Sequence, residues 1–169
     1  VGLLVSSFFS IIGALSISHW LLNSWVIGIA ATLGVLITAI ASVSTRYYAG
    51  MEGKPVRNIA KASKRGAALN LITGFAYGLQ SPVIPVVALM GVVVAIYSLS
   101  GNSLLALVGV NIGTDLLITF IMAADAFGPI VDNAAGIAEM SESAQGVIDK
   151  LSRLDSVGNT MKAITKATP

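Results

Sequence analysis

Acidic residues recur at a regular interval in the segment DAFGPIVDNAAGIAEM, residues 125–140. If this segment is helical past Pro129, Asp125, Asp132 and Glu139 lie on one face, because a seven-residue spacing drifts by only about 20° per repeat on an α-helix. Ionisable groups at membrane depth are costly and usually mark an ion pathway, a partner charge or a metal. The stripe therefore indicates either such a site or acids that merely cap and solvate a helix end.

A second polar segment, GNTMKAITK at residues 158–166, follows in the chain. Its Asn159, Lys162 and Lys166 are spaced at i, i+3 and i+7, so they share one face of a helix. Carboxylates opposite an amide and two ammonium groups suit a magnesium–phosphate complex, because Mg²⁺ prefers carboxylate, water and phosphate oxygens and lysine brings positive charge to phosphate. Spacing alone slightly favours a simpler interpretation, in which salt bridges between two helices neutralise each other.

Asp115 stands apart from these two segments. It lies within an apolar stretch, and no charged residue is close to it along the chain. Such an acid is either a group on an ion pathway or a protonated acid that is hydrogen-bonded to another helix. Both interpretations stay open at this stage.

The elements that carry these residues are predicted to be membrane helices. Hydrophobic residues make up 55% of the chain and charged residues 11%, with a mean hydropathy of +0.85, whereas soluble domains contain about 25% charged residues. We predict an all-α, polytopic transmembrane helix bundle of about five spanning helices, the last of them truncated. The predicted spans are roughly Val1–Ser18, Ser24–Ser44, Gly78–Leu99 and Ser103–Phe127, with a fifth helix that begins near Gly158.

Charge placement sets the predicted orientation. The segment 46–66 is rich in Lys and Arg and lies between apolar runs, so the positive-inside rule makes it a cytoplasmic loop and puts residues 125–169 on the same side. This topology explains the pI near 9.1 better than a nucleic-acid partner does. The chain has no cysteine and a single histidine, His19, which excludes thiolate chemistry and a histidine-cluster metal site.

Several motifs together resemble the membrane-integral inorganic pyrophosphatases, which couple pyrophosphate hydrolysis to the pumping of protons or sodium ions. The resemblance runs from about Thr45 to the end of the chain, and residues 1–44 match only as apolar helices. The motifs occur in the family's order and with comparable spacing: TRYYAG, KPVRNIAKASKRGAALN, DAFGPIVDNAAGIAEM, LDSVGNT and KAITK.

The resemblance implies a magnesium-dependent pyrophosphatase embedded in a lipid bilayer, with protons favoured over sodium as the pumped ion. It also implies a homodimer in full length and a location in a prokaryotic cell membrane or in the membrane of an acidic organelle. The family's remaining acidic segments and its ion gate lie on helices outside this sequence. The fragment alone is therefore expected to be inactive.

The same resemblance implies roles for particular residues. Asp132 matches the Asp of the family's DNAGG-like motif, which helps to hold the magnesium–pyrophosphate complex, and Asp125 is expected to contribute to the same site. Asn159 and Lys166 match residues that line the pocket. Lys162 and Thr165 match the two positions that distinguish potassium-independent members, whose lysine replaces the alanine of potassium-requiring ones.

Four positions depart from the family's usual motifs. Arg46 stands where Glu is usual, Leu69 where Thr is usual, Ala135 where Gly is usual and Met161 where Thr is usual. Arg46 is a charge reversal, and it puts the detail of the cytoplasmic loop in question.

Two other functions are consistent with the sequence. One is a secondary ion transporter or channel-like module without hydrolysis, in which Asp115, Asp125 and Asp132 form an ion path. The other is a structural fragment of a larger assembly, which the matched polar motifs disfavour. Further helices with paired Asp-rich motifs in the full-length protein would favour the pump.

Overall fold

A computed structural model describes the backbone of residues 2–167 and the side chains of residues 2–162. Over this part of the chain the protein is built from α-helices, and no strand is present. The helices are α1 Gly2–Leu22, α2 Trp25–Ala49, α3 Lys54–Ser63, α4 Ala67–Gln80, α5 Val83–Leu99, α6 Leu104–Asp115, α7 Ile118–Met140 and α8 Gln145–Ala167.

Four stretches of the described chain are long and apolar enough to cross a membrane, which confirms the prediction of a polytopic all-α bundle. Three of them join neighbouring helices across a short break: α2 with α3, α4 with α5, and α6 with α7. The stretches are Gly2–Leu22, Trp25–Ser63, Ala67–Leu99 and Leu104–Met140.

The predicted fifth helix differs from the observed one. Helix α8 begins at Gln145 and not near Gly158, so the predicted start was wrong. A tight turn with Glu142 at a φ of 50° reverses the chain after α7, and the polar residues that follow are compatible with helix because they include no proline. Within the described residues, α8 is not among the stretches apolar enough to span a membrane.

The third spanning segment, predicted to begin at Gly78, begins earlier in the structure. Helix α4 begins at Ala67, directly after Gly66, whose φ of 120° suits glycine alone. A break at Ser81 and Pro82 then leads into α5. Pro82 ends α4, because proline has no backbone N–H and cannot continue the regular hydrogen-bond pattern of the helix.

The segment predicted as a basic loop, 46–66, is largely helical. Helix α2 continues to Ala49, and α3 follows with Pro55 in its first turn. Pro55 is fully buried, whereas the basic side chains of α3 are exposed. The separation of polar and apolar residues onto two faces of α3 is itself a helical pattern. The segment was predicted to be a loop because only its basic charge was considered.

Helix α2 forms the centre of the bundle and packs against α1, α5, α6 and α8. Its closest neighbour is α6, because glycines lie at the contact: a Cβ built at Gly34 would lie 2.8 Å from the Cα of Gly113. Small residues allow such close backbone approach between membrane helices. Buried Ala30, Ile37 and Val110 complete this seam.

The helix that begins at Leu104 is interrupted between α6 and α7. Leu117 at the break is fully buried, and the Thr38 hydroxyl of α2 donates a hydrogen bond of 3.1 Å to the Thr114 carbonyl oxygen. A membrane helix tolerates such a break when a neighbouring side chain satisfies the freed carbonyl. Asp115 is the last residue of α6, at the edge of this interruption.

Candidate functional site

Helices α7 and α8 form a hairpin that brings the two predicted polar segments together. Helix α7 continues through Pro129 without a break. This is the condition under which Asp125, Asp132 and Glu139 share one face. The turn at residues 141–144 then returns the chain along α7, so residues early in α7 meet residues late in α8.

Two glycines set the distance between these helices. A Cβ built at Gly158 would lie 3.2 Å from the Cα of Gly128, and a Cβ at Gly128 would overlap the side-chain carbons of Lys162. The aliphatic stem of Lys162 therefore lies across the bare backbone of α7. This packing directs the ammonium group toward the next turn of α7.

The Lys162 ammonium forms an ion pair with the Asp132 carboxylate. The Lys162 side chain is 21% exposed and the Asp132 side chain 40% exposed, so solvent reaches the pair from the carboxylate side. This contact is also what the simpler salt-bridge interpretation predicts. The pair by itself does not distinguish a structural contact from a binding site.

A second carboxyl group distinguishes this cluster from a simple salt bridge. Asp155 of α8 lies within hydrogen-bonding reach of Asp132, and the Asn159 amide donates to Asp155 at 3.0 Å. The hydrogen bond to Asp132 is the main cause that raises the pKa of the Asp155 carboxyl above its ordinary value, and partial desolvation and the charge of Asp132 act in the same direction. Paired carboxyls with opposed environments are typical of functional sites.

Asp155 was missed in the sequence analysis, although the motif LDSVGNT contains it. Asp155, Asn159 and Lys162 recur at i, i+4 and i+7, so the face defined by Asn159 and Lys162 extends back to Asp155. The signal was overlooked because α8 was predicted to begin near Gly158. With the helix start at Gln145, the periodicity includes Asp155.

Not all of the other predicted residues lie near the cluster. Asp125 is partly buried on α7 ahead of Asp132, whereas Glu139 is exposed beyond it, so the acidic stripe contributes to the cluster only in part. Thr165 and Lys166 lie outside the described side chains. Asp115 does not join the cluster and lines a groove farther along the membrane helices.

A cavity of about 400 Å³ lies beside the cluster, between α8 and the segment that joins α2 to α3. Arg46 and Glu52 line one side, and Ser156, Thr160 and Met161 of α8 line the other. Arg46 and Met161 are two of the four positions that depart from the expected motifs. Their departures therefore fall in one place, next to the polar cluster and not within it.

The oxygen atoms of the cluster are of the kind that could contribute to a metal site. No group of three or more acidic, histidine or cysteine side chains in the described part of the chain could hold a metal unaided. Magnesium, however, is commonly held by one or two carboxylates together with substrate phosphates and water. Asp132 and Asp155 are the two carboxyl groups of the cluster that could contribute to such a site.

The fold and the cluster define a multi-pass helical membrane protein with a polar site between the two helices of the α7–α8 hairpin. Residues 1–168 match the family model described as inorganic H+ pyrophosphatase, and the chain belongs to this family. The family resemblance inferred from the motifs is thereby confirmed.

Curated relatives carry names of one kind. The chain is 35% identical to the "K(+)-insensitive pyrophosphate-energized proton pump 2" of Moorella thermoacetica, over 98% of this chain and 26% of the relative. It is 39% identical to the "K(+)-insensitive pyrophosphate-energized proton pump" of Caldanaerobacter subterraneus subsp. tengcongensis, over 81% of this chain and 20% of the relative. The protein of the same name from Streptomyces avermitilis is 42% identical over 82% of this chain and 18% of its own length. The chain thus spans between 18% and 26% of the length of these relatives.

Proposed function

We propose that the full-length protein is a magnesium-dependent inorganic pyrophosphatase that couples hydrolysis to proton translocation across a membrane. Family membership and the names of the relatives support this proposal. The observation that carries it is the cluster of Asp132, Asp155, Asn159 and Lys162 on the α7–α8 hairpin, which is richer than a structural salt bridge requires.

In this proposal Asp132, Asp155 and Asn159 supply oxygen ligands to magnesium, and Asp125 and Lys166 complete the pocket by resemblance. A bound magnesium ion would neutralise phosphate charge and polarise a phosphoryl oxygen. The Lys162 ammonium holds the Asp132 carboxylate in place while its carbon stem rests on Gly128. Without the metal, the raised pKa of Asp155 favours a proton shared with Asp132, and binding of magnesium would release that proton.

We further propose that the enzyme needs no potassium, because the Lys162 ammonium supplies a fixed positive charge where potassium-requiring members bind the ion. Thr165 matches the same subgroup. The proposal also includes a homodimer, with the α7–α8 hairpin on the cytoplasmic side of a prokaryotic cell membrane. Sodium is the alternative pumped ion.

The test uses the full-length protein in sealed membrane vesicles. We would measure phosphate release from pyrophosphate with magnesium, with and without potassium, together with proton movement reported by a pH-sensitive dye. We expect hydrolysis that is indifferent to potassium and that falls by at least about a hundredfold in Asp132→Asn, because removing a preorganised charged group from such a site typically costs this much.

Glu139→Gln is the matched control, because it makes the same chemical change on α7 at an exposed position outside the cluster. It should leave hydrolysis unchanged. A well-folded parent that moves protons without hydrolysing pyrophosphate would instead support a secondary transporter. If neither activity is found, the proposal is wrong for this family member.

A further inference from the structure

Asp115 lines a groove between α2, α5 and α6 that belongs to no part of the proposed hydrolytic site. The groove has a volume of about 600 Å³. Its lining is mostly aliphatic, and its polar side chains gather at one end: Thr38, Asn111, Thr114 and Asp115. The Asp115 side chain is exposed to the groove in the described chain.

With Leu104 at one surface of a bilayer, Asp115 would lie near the middle of the bilayer. Leu104 begins α6, and Asp115 lies about 17 Å farther along the helix, given the rise per residue of an α-helix. The hydrocarbon core of a bilayer is about 30 Å thick. The hydrogen bond from Thr38 to the Thr114 carbonyl shows that Asp115 is level with the middle of α2. Helix α2 belongs to a stretch that is long and apolar enough to span a membrane.

A carboxylate at this depth needs compensation, because an uncompensated charge in the hydrocarbon core costs several kcal/mol. Within the described residues, the Asp115 carboxylate forms no hydrogen bond or ion pair. With respect to α6, the last residue of the helix is an unfavourable position for a carboxylate, because the helix dipole presents negative charge there. All Lys and Arg residues of the sequence fall within 46–65 and 150–166. Arg46, the one that belongs to α2, lies about 12 Å along that helix from Thr38.

We propose that this groove receives a transmembrane helix from the remainder of the full-length pump, and that a Lys or Arg of that helix pairs with Asp115. The chain covers no more than 26% of its relatives, so most of the membrane helices of such a protein lie outside it. An aliphatic groove accepts the side chains of a helix, and Asp115 at its polar end selects a cationic partner. The inference depends on the groove, on Asp115 and on family membership, and it does not require the proposed hydrolysis.

Chemical labelling of the unaltered full-length protein provides the first test. A hydrophobic carbodiimide modifies neutral carboxylic acids within membranes and spares carboxylates held in ion pairs. We expect no labelling of Asp115 at neutral pH, as measured by peptide mass spectrometry of membranes. Stoichiometric labelling would overturn the proposal and show that Asp115 is a protonated acid.

Substitutions provide the second test. If Asp115 pairs with a buried cation, Asp115→Asn and Asp115→Leu should lower the melting temperature of the full-length protein by similar amounts, because both leave that cation unpaired. If Asp115 is a neutral hydrogen-bonding acid, Asp115→Asn should be nearly harmless and only Asp115→Leu harmful. That second pattern, or no effect of either variant, would overturn the proposal.

Charge exchange identifies the partner. Asp115→Lys should destabilise the protein further, and this loss should be reversed when one membrane-embedded Lys or Arg elsewhere in the full-length protein is changed to Asp. Rescue by a single position supports the pairing and names the helix that occupies the groove. Failure of every such exchange would overturn it.

Discussion

Gly128 and Gly158 face each other where α7 crosses α8, with the Cα of Gly128 only 3.2 Å from the place where a Cβ of Gly158 would stand. Because neither residue has a side chain, the backbones approach closely enough for Lys162 to lie flat across α7. The Asp132–Lys162 ion pair is therefore set by the helix crossing as much as by the two charged residues.

Replacing Gly128 tests this relationship. A methyl group in Gly128→Ala would occupy the space of the Lys162 stem, so the ammonium should be displaced from Asp132. We expect a loss of pyrophosphate hydrolysis of at least tenfold in the full-length protein, with little change in expression. Gly146→Ala on α8 is the control, because nothing lies within 4 Å of a Cβ there and the residue is outside the matched motifs. Equal activities of the two variants would contradict the packing argument.

Replacing Lys162 tests its role as a fixed cation. In Lys162→Ala the positive charge beside Asp132 is lost, so we expect hydrolysis to fall in potassium-free buffer and to recover when potassium is added. The measurement is phosphate release across a potassium titration, with sodium at equal ionic strength as the control for general salt effects. Loss of activity that no potassium concentration restores would show that Lys162 acts in another way.

Replacing Asp155 tests the carboxyl pair through stability. The pKa of Asp155 is raised above its ordinary value of 3.8, so its favourable contribution to folding is present below that value and is lost as the pH rises through the folded pKa. At neutral pH and without magnesium, Asp155→Asn should therefore raise the melting temperature. The gain should shrink as the pH is lowered toward the range in which Asp155 is protonated.

The measurement is thermal unfolding of the full-length protein in chelator from acidic to neutral pH. Asp149→Asn is the matched control, because Asp149 is an exposed acid on α8 that accepts a hydrogen bond from Gln145 and lies outside the carboxyl pair. A similar, pH-independent change in both variants would argue against coupling between Asp155 and Asp132.

Replacing Gly113 tests the seam between α2 and α6. A Cβ at this position would overlap the backbone of Ala31, and backbone cannot move aside as a flexible side chain can. We expect Gly113→Ala to destabilise the full-length protein by about 1–3 kcal/mol or more, the usual cost of overpacking. Gly91→Ala on α5 meets nothing within 4 Å and should be neutral in the same unfolding assay.

The sequence was sufficient to predict the membrane helices and the two polar segments, because apolar length and seven-residue spacing are direct consequences of bilayer thickness and helix geometry. It was not sufficient to predict where the helices begin and end. The segment of α3 was predicted to be a loop because of its basic residues. The start of α8 at Gln145 was not predicted, because its first turns contain no long apolar stretch.

The missing helix start had a direct effect on the predicted site. Asp155 belongs to the cluster only because α8 begins ahead of it, so an error in one boundary removed a carboxyl group from the prediction. The glycine crossing could not be predicted either. Gly128 and Gly158 are ordinary small residues in the sequence, and their role depends on two helices meeting at both positions at once.

The Leu104–Met140 stretch, which contains α6 and α7, is long enough to connect two different environments. Asp132 lies about 25 Å beyond Asp115 along the helix axis, which is more than half of the roughly 30 Å hydrocarbon thickness. If Asp115 is near the bilayer centre, the Asp132 cluster stands beyond the acyl chains in water. Lipids of different chain length should therefore alter the packing around Asp115 while leaving the hydration of the carboxyl pair unchanged.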